Sequence, residues 1–65
     1  MKKGDKFWAG DLLITVTRVS RSDPPDWADI FVSQALPGGG RAEWTKRQPL
    51  VNGDFSFNTV KLEDE

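Results

Sequence analysis

The sequence predicts a mostly β chain, built as a small five-stranded barrel or a two-sheet sandwich. Three observations predict it. Runs rich in β-branched and aromatic residues alternate in polarity, the mark of half-buried strands. Gly, Pro, Asn and Asp cluster between those runs at short, regular intervals. The chain has only 65 residues and no cysteine, so it must build one core without cross-links. Closure or a second sheet would leave few bare strand edges.

The elements follow in order. "KFW" from Lys6 is a brief first strand, flanked by "KGD" and "AGD". Gly-Asp recurs at 4–5, 10–11 and 53–54. Gly accepts positive φ and Asp bonds nearby backbone, so the pair suits tight turns. "LLITVTRVS" is the clearest strand, with Leu12, Ile14 and Val16 on one face and Leu13, Thr15, Thr17 and Val19 on the other. "SRSDPPD" then makes a stiff loop. "ADIFVSQAL" and "RAEWTKRQ" are two matched runs around "PGGG", a hairpin pattern. "NTVKLE" places Val60 and Leu62 on one side and Lys61 and Glu63 on the other.

One segment supports a second reading. Over 24–36, Pro24 fits a first helical position, with Asp23 as cap before it, and Trp27, Ile30, Phe31 and Ala35 form a helical stripe ended by "PGGG". The alternative fold is therefore a small α+β domain with one helix there. The dense Trp-Ile-Phe-Val content and the matched hairpin favour the strand. With five strands, the chain resembles the small SH3-like barrels in length and strand count. That resemblance implies an architecture and carries no functional residues with it.

Composition excludes several chemistries. Without Cys or His, thiol catalysis, the usual structural zinc sites and the commonest general base are all missing. Ser20, Ser22, Ser33 and Ser56 lack a His partner. "GGGRA" lacks the Lys and Ser/Thr of a phosphate loop. Asp26 and Asp29 fall on opposite faces of a strand, and a barrel this small has little room for a cleft. The expectation is no enzyme, no metal and no cofactor. "DPPD" is too short for a polyproline ligand and stiffens its loop instead.

Nine cations face 10 acids, a net charge of −1, so overall charge names no partner. Three of the acids, Glu63, Asp64 and Glu65, read as a frayed acidic tail at the end of a single domain spanning 1–65. No apolar run marks a signal peptide or a membrane span. The absence of cysteine points to the cytoplasm. A short chain opening on Met1 without a targeting signal fits a bacterial or phage accessory protein.

The candidate site comes from β alternation through "WADIFVSQ". Ala28, Ile30 and Val32 make the compact inward set, meeting Leu12, Ile14 and Val16. Phe7, Trp44, Val60 and Leu62 complete that core, and Phe55 and Phe57 close one end. Trp27 and Phe31 then face out, beside Asp29 and Ser33, with Leu13, Thr15, Thr17, Arg41, Thr45 and Arg47 on neighbouring strands. Trp27, Phe31, Arg41, Thr45, Lys46 and Arg47 are the expected contact residues. Three uses compete for them. The segment 51–58 covers the rings, and the chain is a purely structural accessory. The face docks a protein partner or a second copy, since aromatics and Arg anchor interfaces. Or single-stranded nucleic acid stacks on the rings while Arg41, Lys46 and Arg47 meet phosphates. The near-neutral charge ranks the protein partner above nucleic acid.

Overall fold

Five antiparallel strands form one sheet in a computed structural model that describes residues 1–62. The strands are β1 (Lys6–Ala9), β2 (Leu12–Val19), β3 (Trp27–Ala35), β4 (Arg41–Pro49) and β5 (Val60–Lys61). β1 to β4 follow one another as a meander, and β5 returns to the far side of β1, giving the order β4-β3-β2-β1-β5. The contested segment is strand. Trp27–Ala35 pairs with β2 on one side and β4 on the other, so both sets of its backbone groups are bonded.

The turns use the residues their geometry needs. Ala9 pairs with Leu12 across Gly10-Asp11, with Gly10 at φ 64. Positive φ at the first central position is the twist-matched two-residue hairpin turn. Asn52 and Gly53 take φ 53 and 80 between Val51 and Asp54, which exchange backbone hydrogen bonds of 2.8 and 3.1 Å. The "DPPD" loop is fastened by side chains. The Ser20 hydroxyl accepts from the Asp26 amide at 2.9 Å, and the Ser22 hydroxyl donates to the Asp26 carboxylate.

Ile14, Val16, Ala28, Ile30 and Val32 are buried on one face of β2 and β3, joined by Phe7 from β1. This inner face is covered by the chain after β4. Leu50 and Phe55 complete the buried cluster. Phe55 meets Phe7 edge-on and stacks on Phe57, both at 5.1 Å between centroids. The segment 51–58 therefore lies across the inner face and not over Trp27 and Phe31.

Two expectations are corrected. The sheet does not close into a barrel, and no second sheet forms among the described residues. Closure would require β4 to pair with β5, yet β5 pairs only with β1, through two residues. The fold is a small all-β domain, with nothing specific to an SH3-like barrel. The core is also smaller than expected. Trp44 shares Val32's face but stays 39% exposed, because Phe55 covers the sheet nearer β1. Phe57, stacked outside Phe55, stays 38% exposed. Val60 pairs with Trp8 and so faces away from the core, 70% exposed, and Leu62 is exposed as well. The acidic tail, Glu63 to Glu65, lies outside the described residues.

Candidate functional site

Register decides which side chains share the outer face. Directly opposed residues on antiparallel strands point to the same side. Thr15, Phe31 and Thr45 form one row across β2, β3 and β4. Val60, Trp8, Leu13, Ser33 and Glu43 form the next, across all five strands. A third row opposes Arg18, Asp29 and Arg47, and Trp27 lies beyond it opposite Pro49. The structure thus gathers Trp27, Phe31, Arg41, Thr45 and Arg47 on one face.

Lys46 is not among them. It pairs with Ile30 on the inner face, at the rim of an apolar hollow with Trp44 and Phe57. Alternation requires this, because 46 is even where 41, 45 and 47 are odd. Thr17 is exposed at a break in the ladder. An irregularity between Val16 and Arg18 sets Arg18 opposite Asp29, and the Thr17 hydroxyl donates to the Asp29 carbonyl at 3.0 Å.

The polar groups of the face are organised. Arg47 holds the Asp29 carboxylate with two guanidinium hydrogen bonds, 2.8 and 3.3 Å. The same guanidinium lies 3.8 Å from the centre of the Trp27 ring, with Arg18 at 6.0 Å. Both positions fit cation–π attraction. The hydrogen bond from Arg47 holds the Asp29 carboxyl below its ordinary pKa, against a smaller desolvation effect, with the charges of Arg47 and Arg18 adding to the depression. The bond to Asp29 in turn raises Arg47. Arg41 reaches back over β3 and donates twice to the Ser33 hydroxyl, at 3.0 and 2.6 Å. That cover explains why Ser33 is buried on an otherwise open face.

Trp27 and Phe31 are half-buried, and the open part of the face lies elsewhere. Trp8 is 40% exposed and stands between Val60 and Leu13. Sequence reading passed over Trp8 because its strand is four residues long and alternation over so short a run is weak. Alternation within "NTVKLE" puts Val60 inward, since nothing in its own segment shows the register to β1. A second missed feature is a hollow of about 390 Å³ lined by Lys2, Lys3, Lys6 and Lys61 with Asp5. It joins the two ends of the described chain, which sequence reading treats apart. Asp5 lies 3.9 Å from the Lys61 ammonium there.

Among the described residues, no group of three or more acidic, His or Cys side chains is gathered for a metal. No helix among them is long and apolar enough to cross a membrane. Comparison of the chain with protein-family models, curated proteins and solved structures finds no match.

Proposed function

We propose that the chain is a non-enzymatic β-sheet module that docks a protein partner through its outer face. The observation that carries the reading is the exposed pair Val60 and Trp8, in one row with half-buried Leu13 and beside the Phe31 row, on a face that no described segment covers. A contiguous apolar strip on a small protein marks a contact surface more often than chance exposure. Its flank is cationic. Lys6, Arg18, Arg41 and Arg47 share the face with Asp29 and Glu43. The partner that fits has an apolar centre to meet Trp8 and Phe31, and acidic groups at its rim.

Single-stranded nucleic acid is the weaker reading. The Trp27 ring already carries Arg47, whose charge is matched by Asp29. Bases and phosphates would have to displace both.

A photo-crosslinking residue at Thr15, in mid-sheet on the outer face, tests the reading. It should capture one defined protein, which then binds the purified chain and binds Trp8→Ala at least tenfold more weakly. Trp44→Ala, on the other face, should leave that affinity unchanged. No crosslinked partner, or a partner indifferent to Trp8 and Phe31, would remove the proposal. Retardation of single-stranded probes that weakens steeply with salt would favour nucleic acid instead.

A further inference from the structure

β4 is the long bare edge of the sheet, nine residues with β3 on one side only. Its backbone directions follow from two bonds at the ends of its ladder. The Leu36 amide donates to the Gly40 carbonyl, and the Leu50 amide to the Asp26 carbonyl, both at 2.8 Å. These pairs continue the register that opposes Ala35 to Arg41 and Trp27 to Pro49. Hydrogen-bonded and non-bonded pairs alternate along such a ladder. Even-numbered residues of β4 therefore turn their backbone groups to β3, and odd-numbered ones turn theirs outward. The free edge offers the N–H and C=O of Glu43, Thr45 and Arg47, with Arg41 at one end. Pro49, at the other end, has no N–H, and its carbonyl accepts from the Gln48 side chain at 3.3 Å.

We infer that this edge pairs with β4 of a second copy of the chain, antiparallel and centred on Thr45. The inference does not rest on the outer-face reading; of that face it uses Glu43, Thr45 and Arg47, which lie along the edge strand. In this register the outward groups of Glu43 and Arg47 bond those of the partner's Arg47 and Glu43, and Thr45 bonds its own equivalent. The side chains agree with the backbone. Glu43 faces Arg47, whose guanidinium also holds Asp29, across the joint, Thr45 faces Thr45, and on the inner side Trp44 faces Lys46. Opposite charges and Thr–Thr pairs are favourable cross-strand neighbours, and Lys beside Trp is a cation–π pair.

The neighbouring symmetric registers all fail on charge. Centring on Glu43 sets Glu43 against itself. Centring on Trp44 opposes Arg41 to Arg47. Centring on Lys46 or Arg47 sets each of those cations against its own copy. Charges on an edge strand normally prevent pairing. Here they exclude the wrong registers and leave one that is self-complementary, the requirement of a two-fold interface. Paired strands keep their faces, so the two outer faces of such a dimer lie side by side on one broad sheet.

Sedimentation over a range of concentrations reads the association, and amide exchange locates it. The wild type should dimerise reversibly, with slowed exchange at Glu43, Thr45 and Arg47 in the dimer. Thr45→Pro removes an N–H that the monomer does not use and should abolish the dimer. Glu43→Arg should weaken it at least tenfold, and Glu43→Gln by less. Circular dichroism checks that each variant folds, and the exposed Glu43 keeps the test decisive if Thr45→Pro does not. A wild type that is monomeric at every soluble concentration would overturn the inference. So would a dimer indifferent to Glu43→Arg, or one whose Thr45 and Arg47 amides exchange as fast as in the monomer.

Discussion

Phe55→Ala tests the placement of the core on which the two faces depend. Phe55 is 8% exposed, edge-on to Phe7 and stacked on Phe57. Truncating a buried Phe to Ala costs about 3–5 kcal/mol. Each lost ring pair accounts for about 0.5–1.5 kcal/mol of that beyond its area. A chain of this length holds roughly 3–10 kcal/mol in all, at about 0.05–0.15 kcal/mol per residue. Phe55→Ala should therefore bring the protein to the edge of unfolding at room temperature. Phe55→Leu keeps part of the contact and should cost about 1–2 kcal/mol. That lowers the midpoint temperature by about 4–16 °C for a domain of this size. Phe57→Ala, at a site 38% exposed, should cost less than Phe55→Ala by about 2 kcal/mol or more. Urea unfolding followed by circular dichroism and tryptophan emission gives all three. A Phe55→Ala protein within about 1 kcal/mol of wild type would refute the inner-face packing, as would equal losses at 55 and 57.

Other outcomes follow from single contacts. Gly53→Ala forces an L-residue to φ 80 and brings its Cβ within 3.0 Å of the Pro24 Cβ, so thermal denaturation should show a loss of about 2 kcal/mol or more. Gly10→Ala meets open space at φ 64 and should lose only about 1–2 kcal/mol by the same measurement. Arg47→Ala uncovers the Trp27 ring, so acrylamide should quench tryptophan emission more strongly than in wild type, with little change in stability. Asp29 has a depressed folded-state pKa. Its stabilising share is present above the ordinary aspartate value of about 4 and fades as pH falls through the lower folded value. Arg47→Ala should remove most of that acid-side dependence, leaving the smaller effect of Arg18, and an NMR titration of the Asp29 carboxyl should show its pKa rise.

The strands were legible where side-chain chemistry repeats over several residues. β2 and β3 are long, β-branched and aromatic, and Ala28, Ile30 and Val32 could be set inward from alternation alone. The helix alternative over 24–36 had reasonable caps, but a lone helix cannot satisfy two flanking strands that both offer backbone groups to it. What lay out of reach was register between distant segments. Val60 faces out because it pairs with Trp8, and nothing in "NTVKLE" encodes that partner. Closure is out of reach of the sequence for the same reason: only the register shows that β5, two residues long, pairs with β1 and not β4. For the face itself, parity placed Trp27, Phe31, Arg41, Thr45 and Arg47 together, and the same parity should have removed Lys46. Only three dimensions could reveal that Arg47 spends its charge on Asp29 and its plane on Trp27.

The irregularity in β2 gives the chain one spare position. Val16 opposes Ile30 and Arg18 opposes Asp29, so Thr17 has no partner of its own. Removing it would leave every other facing residue where it is and restore an unbroken ladder, at the expense of one hydroxyl bond and some local coiling. In the regular part of β2, away from this bulge, loss of a single residue would slip the facing by one and move side chains to the wrong side. Thr17 is the place in this sheet where length can vary without scrambling its two sides.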